Sequence, residues 1–102
     1  MSISNYSQSV KITTKGDNFV GQVDATPHLY QLQQYLASNH AINGEIKMGA
    51  LEAELNSVPF SASLHPINNT RTAHISIRSS CPDVANKAKE AIRAYGKYLD
   101  RN

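Results

Sequence analysis

The chain of 102 residues has a single cysteine, Cys81, so no internal disulfide can form, and a reducing compartment is expected. Its first residues (Met-Ser-Ile-Ser-Asn-Tyr) hold no basic segment followed by an apolar run. No stretch approaches the roughly 20 apolar residues of a membrane-spanning helix. A cytoplasmic location without membrane association is therefore expected. Glycine-rich phosphate loops are missing: Gly44, Gly49 and Gly96 stand singly, and Lys15-Gly16-Asp17 reads as a turn. Linkers, repeats and low-complexity segments are missing too. A chain of this length is expected to form one domain, residues 1–102, whose core needs neither metal nor cross-link. Charge is missing from two long segments, residues 25–44 and 55–70, which hold no Asp, Glu, Lys or Arg.

What charge there is has a pattern. The net charge of +2 resides in residues 83–101, where Lys87, Lys89, Arg93, Lys97 and Arg101 outnumber Asp83, Glu90 and Asp100. The remainder balances.

The strongest pattern present is alternation. Leu51, Ala53 and Leu55 alternate with Glu52 and Glu54. Val58, Phe60, Ala62 and Leu64 alternate with Pro59, Ser61 and Ser63. Ala73, Ile75 and Ile77 alternate with His74, Ser76 and Arg78. Period-two alternation gives a strand one dry and one wet face. Asn56-Ser57 as a two-residue turn sets Leu55 against Val58, Ala53 against Phe60 and Leu51 against Ala62. Asn68-Asn69 as another sets Leu64 against Ala73, Ala62 against Ile75 and Phe60 against Ile77. Asparagine tolerates the positive φ such turns need, and a slip of one residue would break both registers. By the same logic Gly16-Asp17 sets Val10 against Val23, Ile12 against Gly21 and Thr14 against Phe19. Pro59, which lacks an N–H, is expected to end its ladder near Phe60 and Ile77, and Pro66 falls in a non-bonded position against Arg71.

Two helices complete the pattern. Residues 27–39 open on Thr26 as N-cap and Pro27, and bury Leu29, Leu32 and Leu36. Residues 82–100 open with Ser80 able to cap and Asp83 favourable to the helix dipole. They carry Val84, Ala88, Ala91, Tyr95 and Tyr98 at amphipathic spacing. Between 44 and 55 the apolar parity switches from Ile46, Met48 and Ala50 to Leu51, Ala53 and Leu55. A β-bulge near Gly49-Ala50 is preferred over a short helix. The expected fold is α+β: a two-layer sandwich of order ββαβββα, its five-stranded, mainly antiparallel sheet covered by two helices on one face. The α-βββ-α order of residues 27–99 resembles a double-stranded RNA-binding domain in topology alone, since the lysine cluster that opens that family's last helix has no counterpart at residues 79–83.

Three surfaces are candidates for function. Lys89, Arg93, Lys97 and Arg101, spaced by four, form a stripe that could follow a phosphate backbone; the plain alternative is a solvated helix face. The first helix shows Tyr30, Gln31, Gln33 and Gln34, with His28 and His40 at its ends. Such an uncharged surface costs little to desolvate and suits a protein contact. The wet sheet face presents Ser61, Ser63, His65, Thr72, His74, Ser76 and Arg78, without the aromatics on which single-stranded RNA stacks. Catalysis has little support: Cys81 begins a helix, where a thiolate is favoured, but lacks a base beside it in sequence. His65 and His74, read as diagonal neighbours, are too few to hold a metal. The expectation is a non-catalytic binding module (a regulator, inhibitor or adaptor) without cofactor. It is expected to dock on a protein partner or on itself as a homodimer through Tyr30, Gln31, Gln34, His74 and Ser76. Nucleic-acid binding through Lys89, Arg93, Lys97 and Arg101 is the alternative.

Overall fold

The computed structural model describes residues 6–21 and 25–101. The elements are β1 (Tyr6–Thr13), α1 (Thr26–His40), β2 (Gly44–Lys47), β3 (Ala50–Leu55), β4 (Val58–Pro66), β5 (Thr72–Ser79) and α2 (Pro82–Leu99). They form one antiparallel five-stranded sheet of order β1-β5-β4-β3-β2 and two helices. The α+β class and the five-strand count match the sequence reading; the element order does not. It runs βαββββα, so four strands separate the helices and the topological likeness to the RNA-binding domain ends there.

Both corrections arise where the chain reverses. Residues 44–55 are a hairpin, not a bulged strand. Met48 and Gly49 take φ of 51° and 77°, as a type I′ turn requires, and Ile46 faces Leu51 while Gly44 faces Ala53. The parity switch is thus the chain turning back. The strand expected at 18–25 does not form in its described part: residues 14–21 are a loop, and Val23 lies outside the described residues. β1 instead continues along β5, Val10 facing Ile75 and Ile12 facing Ala73, and the Thr14 N–H extends that ladder to the Arg71 carbonyl at 3.0 Å. An ion pair, Arg71 Nε to Asp17 Oδ1 at 2.9 Å, also holds the loop to the β4–β5 end of the sheet. Phe19 then drops into the core.

The β3–β4 hairpin has the predicted register, with Leu55↔Val58, Ala53↔Phe60 and Leu51↔Ala62, and with Asn56 and Ser57 at φ of 55° and 65°. The β4–β5 register is displaced by two: Leu64 faces Ile75, Ala62 faces Ile77 and Phe60 faces Ser79. Ile67 and Thr72 close a four-residue loop, with Ile67 N–H to Thr72 O at 2.9 Å and Thr70 N–H to Ile67 O at 3.1 Å. Only Asn69 of the asparagine pair takes positive φ, 59°. An even displacement keeps every apolar residue inward. The ladder still stops at Phe60, now opposite Ser79 rather than Ile77. Pro66 faces Ala73, not Arg71.

One cluster unites the dry face with both helices: Val10, Ile12, Leu51, Phe60, Leu64, Ile75 and Ile77 from the sheet, Leu29, Leu32 and Leu36 from α1, and Val84, Ala88, Ile92 and Tyr95 from α2. The helix starts differ from expectation. Ala25, not Thr26, is the N-cap of α1, and Cys81, not Ser80, is that of α2. At the second, Ser79 Oγ donates to the Pro59 carbonyl at 3.0 Å and accepts the Cys81 N–H at 3.3 Å, so the turn is tied to the sheet one residue earlier.

Candidate functional site

Three segments distant in sequence enclose a cleft on the helix side of the molecule. Lys15, Asp17 and Asn18 of the β1–α1 loop form one wall; Gln31, Gln34, Tyr35, Ser38 and Asn39 of α1 form another; Tyr95, Tyr98, Leu99 and Asp100 at the end of α2 complete it. The cleft holds about 800 Å³, within the range of small-ligand and peptide sites. Its loop wall is pinned by Lys15 N–H donating to Asp100 Oδ1 at 2.8 Å.

The floor is aromatic. Tyr35 packs against Tyr98 (ring centroids 4.9 Å apart) and Tyr95 (5.5 Å), and Tyr95 stacks beside Tyr98 at 6.3 Å. These are the separations at which aromatic pairs attract. Tyr95 is fully buried while Tyr98 is 43% exposed, so the cluster has an anchored member and a presented one. The Tyr95 hydroxyl donates to Gln31 Oε1 at 3.3 Å. Its burial, and secondarily the neighbouring Tyr98, push its pKa up to about 12, so it remains a neutral hydrogen-bonding phenol at physiological pH. Tyr35 also packs at a tilt against His40, ring centroids 5.3 Å apart, and its backbone carbonyl accepts from Asn39 Nδ2 at 3.1 Å. The rim is rich in amides and hydroxyls: Asn18, Gln31, Gln34, Ser38 and Asn39.

The predicted interface residues divide between two surfaces. Gln31 and Gln34 line the cleft; Tyr30 is exposed on α1 but does not line it. His74 and Ser76 lie on the outer face of the sheet, since their neighbours Ala73, Ile75 and Ile77 are buried in the core on the other. Gln33 is turned inward, its Nε2 donating to the Gly44 carbonyl at 2.8 Å. His28, expected at the exposed helix end, is buried instead, its ring 4.9 Å from Phe19.

On α2, Lys89 is partly buried, while Arg93, Lys97 and Arg101 are exposed. Arg93 is engaged with Glu90 at 3.2 Å, Lys87 with Asp83 at 3.1 Å, and Arg101 lies past the end of the helix. His65 and His74 are directly opposite in register, not diagonal. Among the described residues no group of three or more His, Cys, Asp or Glu could hold a metal. Sequence reasoning missed Tyr35, Tyr95 and Tyr98 as a site because Tyr95 and Tyr98 fit the apolar stripe of α2. The available signal was three tyrosines on two helices, with Tyr98 at the exposed margin of that stripe. The chain matches no protein-family model, no curated protein and no solved structure.

Proposed function

We propose that this protein is a non-catalytic binding module that grips a protein partner in the cleft between the β1–α1 loop, α1 and the end of α2. The observation that carries the reading is the ring-packed trio Tyr35, Tyr95 and Tyr98 under a rim of amide side chains. Tyrosine faces take up proline and aromatic rings with little loss of side-chain entropy. Side-chain amides both donate and accept, so they match peptide groups along an extended segment. The acidic wall residues Asp17 and Asp100 already have partners in Arg71 and the Lys15 backbone, so they offer little to a basic segment, and the Lys15 ammonium is the remaining charge at the wall. Hence Gln31 and Gln34 touch the partner from the α1 side, and Tyr98 presents the ring on which it lies.

Nucleic-acid binding through Lys89, Arg93, Lys97 and Arg101 is the weaker reading, because Glu90 occupies Arg93 in the middle of the stripe. Immobilised protein, challenged with native lysate in nuclease-treated and untreated arms, separates the two. The module retains protein equally in both arms, and Tyr98→Ala loses it without loss of fold. Retention that vanishes with nuclease, or survives Tyr98→Ala unchanged, overturns the proposal.

A further inference from the structure

We infer that the outer face of the sheet pairs with the same face of a second copy, about a two-fold axis that passes over β4 at about 15° to its strand direction, half the crossing of aligned packed sheets. The inference rests on the binding-module reading and assigns self-association to the surface opposite the cleft.

Alternation places Lys11 of β1 and Arg78 of β5 on the outer face, while β4 contributes no charged residue to it. On the other side of β4, β3 presents Glu52 and Glu54, and β2 presents Glu45 and Lys47. Lys47 forms a 3.0 Å ion pair with Glu45 and is also attracted by Glu52, so β2 adds no net charge. One half of the face therefore carries two positive charges and the other two negative, divided by the uncharged β4. Among the described residues no ion pair engages Lys11, Arg78, Glu52 or Glu54. A half-turn over β4 lays the positive half on the negative half, as an isologous contact demands; of these charges Arg78 and Glu52 share a row, whereas Lys11 and Glu54 lie toward opposite ends of the strands.

Register makes the match specific. Ser7, Arg78, Ser61, Glu52 and Glu45 lie in one row across all five strands. The sheet order β1-β5-β4-β3-β2 is reversed by the proposed axis, so β5 lies over β3 of the second copy and β4 over β4. Arg78 then faces Glu52, and Glu52 faces Arg78, at two equivalent contacts. Packed sheets lie about 10 Å apart and cross at about 30°. One strand from the axis, at ~4.8 Å, that crossing displaces the row by only about 2.5 Å, well within the reach of an arginine and a glutamate. In the next row Ser9, Ser76 and Ser63 lie side by side on β1, β5 and β4, and their short side chains let the sheets approach at the centre, while Ala50 and Lys47 pair at the β3–β2 side. A face roughly 24 by 20 Å, covered on both copies, hides on the order of 1,000 Å². That is the lower limit for specific contacts and implies a reversible, concentration-dependent dimer.

Sedimentation across a concentration series tests this with single and mixed variants, and circular dichroism confirms their folding. The wild type dimerises at low ionic strength and dissociates in high salt. Arg78→Glu and Glu52→Arg each weaken dimerisation by about tenfold or more, because each sets like charges together at two contacts. An equimolar mixture of the two variants regains dimerisation, since the heterodimer places a carboxylate opposite a guanidinium at both. A strict monomer at high concentration, a dimer indifferent to both substitutions (as pairing through the free edge of β1 would be), or a mixture that stays monomeric overturns the inference. Neither substitution touches the cleft, so partner capture by Arg78→Glu reports on the proposed function separately.

Discussion

Replacing Gly96 with alanine tests how closely α2 is seated on the sheet. In an exposed helix this change stabilises by about 1 kcal/mol, because glycine has more backbone freedom to lose. Gly96, however, is buried on α2 over β1, and a Cβ there falls 2.7 Å from Ile12 Cγ2 and 3.2 Å from Cγ1. The first distance is shorter than any real contact, and the neighbour is unaccommodating. Ile12 is β-branched, so its χ1 is stiff, and it is 4% exposed within the core. Overpacking of this kind costs about 1–3 kcal/mol, which outweighs the helical gain. Gly96→Ala is therefore expected to destabilise by about 1 kcal/mol, lowering the melting temperature by roughly 4–8 °C for a domain of this size. In an Ile12→Ala background the obstructing Cγ atoms are gone and the sign reverses: Gly96→Ala now stabilises. Urea denaturation of the four members of the cycle measures both effects at constant m. If Gly96→Ala raises stability in the wild-type background, α2 does not bear on β1 as described and the reasoning fails.

Two further expectations follow from local chemistry. Burial of His28 lowers its pKa, the stronger effect against the backbone of Asn18 and the side chain of Gln31, which raise it. The unfolded chain therefore takes the proton first as pH falls below about 6.5. The stability held by neutral His28 is complete above that pH, declines as pH drops toward the folded pKa, and is constant below it. His28→Gln flattens this part of the curve in denaturation measured across the range, and an unchanged slope refutes the assignment. Ser57, at φ 65° in the β3–β4 turn, is a non-glycine residue in a left-handed conformation. Ser57→Gly is expected to stabilise by about 0.5–1 kcal/mol, relief of backbone strain exceeding the added entropy cost. A lowered melting temperature would show that the turn is not type I′.

The residues that announced the fold are those whose neighbours in space are also near in sequence. Leu51 to Leu64 alternate across a turn of two residues, and the β3–β4 pairing could be read directly. The β4–β5 pairing was legible only in parity: loops of two or four residues place Leu64, Ala62 and Phe60 on the same face, and sequence carries no term that separates them. At Met48-Gly49 the switch of parity was visible, but a bulge and a reversal produce the same switch, and methionine is an unusual first residue for a type I′ turn. The partner of β1 was hidden because Val10 and Ile12 alternate equally well against Val23 and Gly21 nearby or Ile75 and Ala73 far away. The competition is settled by β5, which offers Ala73, Ile75 and Ile77 inward, all fully buried. The cleft was illegible for a related reason. Tyr35 and Tyr98 come together only when α1 and α2 lie side by side, and each alone resembles a helix residue at the margin of a core stripe.

The pairing of β1 with β5 also dictates an order of assembly. Thr13 and Thr72, whose hydroxyls meet at 2.8 Å, stand 59 residues apart, whereas β2 through β5 are joined by tight turns. The four-strand meander can zip sequentially, each step closing a small loop, while β1 must search across the whole chain. β1, although it precedes the other strands in the chain, is thus installed late, and until then β5 displays a bare ladder edge and Ile12 has no roof. Slow annealing of that one strand would govern the refolding rate, and any delay would leave the nascent chain open to adhesion at β5.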